Sequence, residues 1–183
     1  MRPQRVPVFI GGEGRSEIAY AGWLRNLARD RDIPVHLELC DLGQGAGDPY
    51  TRIEMAIERV ERIERNRELF VGRYVFLDTD QIEGDPDRAD RARRHARENS
   101  FKVIWQQPTH EAFLLRHLPG RHMNQPPDKR AADAALAKDW VDYRKPCTSQ
   151  QLEQRLALDG AIRVAERLPE LAELLRLIGL WAA

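Results

Sequence analysis

Val6-Pro7-Val8-Phe9-Ile10-Gly11-Gly12-Glu13-Gly14-Arg15-Ser16-Glu17 runs from β-branched and aromatic residues through a glycine turn into a charged segment. Beyond it, Ile18, Ala19, Trp23, Leu24 and Leu27 recur at helical spacing. The stretch reads as strand, glycine turn and helix, with Ser16 placed to cap the first turn.

The same alternation continues along the chain. Val35, Leu37 and Leu39 alternate with His36 and Glu38, which predicts a half-buried second strand. Residues 41–49 carry three glycines and read as a flexible loop. A helix follows, its inner stripe Ile53, Ala56, Ile57, Val60 and Ile63 and its exit at Arg67, with glutamates and arginines over the remaining faces. Residues 71–77 form an apolar strand ending in Asp78-Thr79-Asp80. An arginine-rich helix over 87–99, a strand over 101–105 and a short helix over 111–117 complete the series. Strands alternating with helices predict an α/β fold, a parallel four-stranded sheet covered on both faces, here with strand order 2-1-3-4. Residues 119–148 are rich in proline and charge with one helical stretch, and the last ~35 residues read as two helices divided near Pro169. The division expected is a core over 1–118 and a helical C-terminal extension over 119–183 packed on it.

The chain has 183 residues, enough for one domain with a real core. Its 29 basic and 29 acidic residues cancel, so contact with a polyanion has to use a local patch. Cys40 and Cys147 lie far apart with no CxxC spacing, which argues against a zinc site or a disulfide framework. No apolar run is long enough for a membrane span, and the start is a poor signal peptide, so a cytoplasmic location is expected.

Ligands of open α/β sheets bind at the carboxyl ends of the strands, near the reversal in strand order. Three of the four predicted strands deliver acids there: Glu13 after the first, Asp78 and Asp80 after the third, and Glu111 beyond a tight turn after the fourth. Glu17 lies one helical turn beyond Glu13. Crowded carboxylates raise one another's pKa values, and a hard cation with oxygen ligands, Mg²⁺ or Mn²⁺, is the usual remedy. The sequence itself shows no lysine placed to neutralise them. Arg15 in the glycine turn, and Arg88, Arg91 and Arg94 on the arginine-rich helix, are the candidate phosphate contacts. His110 and His117 read as packed histidines at helix ends, and Trp105, Trp140 and Trp181 as core or interface anchors without a shared basic setting. No Gly-x-x-x-x-Gly-Lys-Ser/Thr is present, so ATP binding through a P-loop is not expected.

Gly12-Glu13-Gly14-Arg15-Ser16-Glu17 followed by Asp78-Thr79-Asp80 resembles the Toprim fold of topoisomerases, primases and OLD-type nucleases, a Rossmann-like arrangement. Within that group the chain looks most like the RloB family, which is found beside restriction-modification and phage-defence genes. The resemblance rests on the Gly-Glu-Gly-x-Ser-Glu opening, the 43–49 loop, the Asp-x-Asp strand end and residues 101–117. Gln107, His110 and Phe113 depart from the family's pattern of a small polar residue, an aromatic and a tryptophan. The resemblance implies that Glu13, Asp78 and Asp80 are catalytic and that Glu13, Glu17, Asp78, Asp80 and Glu111 ligate Mg²⁺. The implied activity is that of a nuclease on DNA or RNA. A separate ATPase subunit and a homo-oligomer are the further partners it suggests. The alternative is a non-catalytic subunit that binds nucleic acid or the ATPase through residues 119–128 and the apolar tail ending in Trp181.

Overall fold

Four strands pair in parallel in the order β2-β1-β3-β4, comprising β1 (Val6–Gly12), β2 (Val35–Asp41), β3 (Gly72–Asp78) and β4 (Lys102–Gln106). The computed structural model describes residues 5–43, 48–67 and 69–182. The central strands β1 and β3 are buried on both sides, which is why they read as unbroken apolar runs. The expected loop over 41–49 lies partly outside the described residues.

Strand parity divides the core into two layers. Val8 and Ile10 of β1, Tyr74 and Phe76 of β3 and Ile104 of β4 belong to one apolar cluster. Phe9, Val75, Leu77 and Val103 point the other way into a second. The helices sort accordingly. α1 (Arg15–Arg29) and α4 (His110–His117) cover the first face, while α2 (Pro49–Glu64) and α3 (Pro86–Glu98) cover the second. Because α1 and α2 lie on opposite faces, the reversal in strand order falls between β1 and β3.

Four of the eight described helices begin with a side-chain cap, and α1 is among those that do not. Asp48 and Asp85 accept from the backbone N–H groups of Thr51 (3.2 Å) and Arg88 (3.0 Å), each followed by a proline at the first helical position. α1 has no such side chain. Gly14 is its extended N-cap, and Ser16, expected as the cap, is buried inside the first turn. α2 ends at Glu64, earlier than the expected exit at Arg67.

The C-terminal part departs further from expectation. After α5 (Lys129–Asp139) it contains three helices among the described residues, α6 (Ser149–Arg155), α7 (Leu158–Ala165) and α8 (Pro169–Leu177). The extra break falls at Leu156 and Ala157, both extended. The apolar tail is also not a free surface. Leu171, Leu174, Leu175, Ile178 and Leu180 are buried in the same cluster as β1 and α1. Trp181 is half-buried beneath Arg176, whose guanidinium carbon sits 4.5 Å from the ring centroid.

Candidate functional site

The even-numbered residues of β3 face α1, so Asp78 continues the row of Tyr74 and Phe76 and projects over the start of that helix. There it meets Glu17, buried in the first helical turn. Gly12 makes this approach possible, since a Cβ built on it would stand 2.7 Å from the Cβ of Glu17. Glu13, leaving β1, turns its carboxylate toward β3 and accepts the backbone N–H of Asp78 on Oε2 at 3.2 Å. The Gln81 amide approaches Glu13 Oε1 at 3.5 Å.

These side chains line a crevice of about 420 Å³ whose walls hold Glu13, Glu17, Asp78 and Asp80 facing Arg15 and Arg52. Burial, then the charges of Glu17, Glu13, Glu111 and Asp80, push the Asp78 carboxyl up to about 9. Burial also raises Glu13, against the lowering effect of the Asp78 N–H. Asp78 Oδ1 is buried without a hydrogen-bond partner. Asp78 is therefore the group in the cleft whose crowding a proton or a cation would relieve.

Glu111 sits just beneath, on the first turn of α4, and its surroundings correct the expectation that no lysine serves the acids. Lys145 Nζ lies 2.7 Å from Glu111 Oε1, and the Tyr143 hydroxyl donates to the same oxygen at 3.2 Å. Burial alone would raise Glu111, but the Lys145 hydrogen bond and charge hold it below the usual carboxylate range. Glu111 Oε2 remains buried and unpartnered. Lys145 and Lys129 both reach the crevice wall from the C-terminal segment.

Arg52 was also not singled out by the sequence. It is buried, donates to the carbonyls of Leu42 (2.6 Å) and Gly43, and lowers the Glu13 pKa by its charge. A lone arginine on a helix full of arginines offers no periodic signal. Of the expected phosphate contacts, the structure brings Arg15 to the crevice. Arg88, Arg91 and Arg94 stand on α3 away from its walls. Arg88 is engaged with Asp48 at 3.3 Å and with the Gln81 carbonyl, and Arg91 lies over the Tyr50 ring.

Both histidines are packed and neutral. His117 Nδ1–H donates to the Phe113 carbonyl (2.8 Å), leaving Nε2 to accept the Tyr20 hydroxyl at 2.9 Å, and burial drives its pKa down to about 3. His110 Nδ1 accepts from the Gln106 amide at 2.7 Å and lies 3.7 Å from Glu17 Oε1, its pKa lowered by burial. Trp105 is corrected in the other direction. Arg93 sits 5.5 Å from its ring centroid, and Arg116 and Arg167 line the same cavity, so it does have a basic setting.

The donor set is one of hard carboxylate oxygens, two of them buried without partners, and this fits Mg²⁺ or Mn²⁺ in chemistry. Among the described residues no three or more histidines, cysteines, aspartates or glutamates are grouped closely enough to hold an ion by themselves. Mg²⁺ commonly relies on one or two carboxylates and keeps its waters until a phosphate arrives, so the two observations are compatible.

Fold and site define a parallel, Rossmann-like α/β protein with an acidic crevice at its switch point. Comparison with protein-family models, with curated proteins and with solved structures gives no match. No helix among the described residues is long and apolar enough to cross a membrane.

Proposed function

We propose that this chain is a Toprim-like, Mg²⁺- or Mn²⁺-dependent nuclease acting on phosphodiesters. The resemblance to RloB-like proteins adds a cytoplasmic role in phage defence or restriction. The observation that carries the reading is Asp78, pushed up to about 9 by burial and then by four neighbouring carboxylates, and left with a buried, unpartnered oxygen at the switch point. Asp78, Asp80, Glu13 and Glu17 would hold the ion, with Glu111 supporting them once released from Lys145. When bound, the divalent ion supplies the positive charge that a phosphodiester and its attacking water require. Glu13, made more basic by burial and held by the Asp78 N–H, accepts the proton of that water. Arg15, exposed at the mouth of the glycine turn, contacts the phosphate.

The test is cleavage of labelled DNA and RNA by the purified chain with Mg²⁺, Mn²⁺ or EDTA, beside Glu13→Gln and Asp78→Asn. Metal-dependent cleavage reduced about a hundredfold or more in both variants, with unfolding still cooperative, is the expected result. Retention of cleavage in both sinks the nuclease reading.

The Lys145–Glu111 pair favours a second reading, in which the crevice is closed by the protein's own cation and the chain binds nucleic acid or an ATPase partner without cutting. Under it, Glu13→Gln and Asp78→Asn keep partner binding and no metal-dependent product forms.

A further inference from the structure

A second cavity, about 220 Å³, opens on the β4 side of the sheet between Trp105, Gln107, Arg116, His122, Gln125 and Arg167. Where the acidic crevice mixes four carboxylates with two arginines and two lysines, this cavity has two arginines, a histidine and two amides, and no carboxylate among the described residues that line it. Trp105 is half-buried, and Arg93, itself paired with Asp90 at 3.3 Å, lies over its ring.

The two cavities are joined by one turn. Asp78 pairs with Gln106 across the β3–β4 ladder, so about one strand spacing, roughly 5 Å, separates their backbones. Beyond Gln106, the Pro108 carbonyl accepts the backbone N–H groups of Thr79 (3.1 Å) and Asp80 (3.2 Å). The Arg116 guanidinium donates to the Gln107 carbonyl at 2.8 Å. This turn therefore ties the acids on one side to the arginine-lined cavity on the other.

We infer that the Trp105–Arg116–Arg167 cavity is a nucleotide subsite that takes an unstacked base and its phosphate from a single-stranded stretch beside the bond held at the acidic crevice. The inference rests on the proposed phosphodiester chemistry and names its substrate class. Arginines satisfy the phosphate, an aromatic ring accepts any base face, and Gln107 and Gln125 offer amides to a base edge. A duplex keeps its bases stacked and cannot use an isolated tryptophan in a cavity, so single strands are preferred.

The experiment is binding of a short fluorescein-labelled oligonucleotide, single-stranded or duplex, to the full chain with Ca²⁺ in place of Mg²⁺. Arg167→Glu and Trp105→Leu are compared with the native chain. Single-strand binding about tenfold weaker in Arg167→Glu, with duplex binding already weaker in the native chain, is expected. Arg167 is exposed, so this variant carries the test even if Trp105→Leu fails to fold. Equal single-strand affinity in Arg167→Glu and the native chain, equal affinity for duplex, or no binding by the native chain overturns the inference. The metal reading is judged separately, by the rise in unfolding midpoint with Mg²⁺ and its loss in Asp78→Ala. Arg167-dependent binding without that rise would remove the metal and keep the subsite.

Discussion

The backbone N–H of Asp78 donates to the carboxylate of Glu13 at 3.2 Å, joining the ends of the two central strands at the point where strand order reverses. That bond brings two acids together and leaves the Asp78 side chain to face Glu17 and Asp80 with one oxygen unpartnered. The fold holds the charges in place instead of letting them separate.

Stability should therefore fall with rising pH in the absence of divalent metal. Asp78 has a folded-state pKa of about 9 against an ordinary 3.8. A raised carboxyl contributes stability that is complete below its unfolded pKa and is lost as pH rises toward the folded value. This one group contributes a slope of at most about 1.4 kcal/mol per pH unit across that window. Thermal unfolding between pH 5 and pH 9 should show the decline, and Asp78→Asn should flatten it. Mg²⁺ should raise the native midpoint increasingly toward higher pH, because binding displaces a proton. A pH-independent midpoint in the native chain would contradict the assignment.

Lys145→Met should leave Glu111 as an uncompensated buried charge. Breaking a fully buried pair costs more, but Lys145 is half in solvent, so about 2 kcal/mol is expected. The pair also shapes the acid side of the stability curve. Glu111 has a lowered pKa, so its contribution is present above its ordinary value of 4.5 and fades as pH falls through the folded one. Adding Glu111→Gln to Lys145→Met should restore part of the loss. A double-mutant cycle by urea unfolding measures this, and strict additivity would mean the two groups do not interact.

What could be read from the sequence was local in origin. Residues 71–77 read as a continuous apolar strand that delivers Asp78 at its carboxyl end, although a run buried on both faces does not show which way Asp78 points, and the glycines around Glu13 mark the turn after the first strand. With the strand order 2-1-3-4 expected of such an alternation, those two signals place Glu13, Glu17, Asp78 and Asp80 at one crevice. Lys145, Tyr143 and Arg52 did not, because each reaches the site through tertiary packing from a segment with no periodic link to the acids. Ser16 was misread because a serine before an apolar stripe has the composition of a cap, whereas here Gly14 takes that position. The tail was misread as a contact surface for the same kind of reason. Its apolar stripe is real, and the partner it packs against is this chain's own sheet.

That placement predicts that the tail is essential to the fold. Leu174 and Leu175 are fully buried beside α1 and β1 residues. Leu174→Ala should cost about 3 kcal/mol in chemical denaturation. Ending the chain before Pro169 should abolish cooperative unfolding. A truncated chain that still unfolds cooperatively would show the extension to be dispensable.

Gly12→Ala separates packing from charge at the site. Its added methyl would stand 2.7 Å from the Cβ of Glu17, an atom fixed to the helix backbone that cannot rotate away, and 3.1 Å from the end of the Ile18 side chain. The first turn of α1 must then move off β1, at a cost of about 1–3 kcal/mol by the usual penalty for overpacking. The shift also carries Glu17 away from Asp78, relieving part of the repulsion that raises the Asp78 pKa. The variant should therefore be less stable at pH 5, where Asp78 is protonated in either case, and should lose less stability than the native chain on going to pH 9. Its midpoint should also respond less to Mg²⁺, since the carboxylates no longer converge. Loss of stability with an unchanged pH slope and metal response would show that Glu17 does not act on Asp78 and that Gly12 serves packing alone.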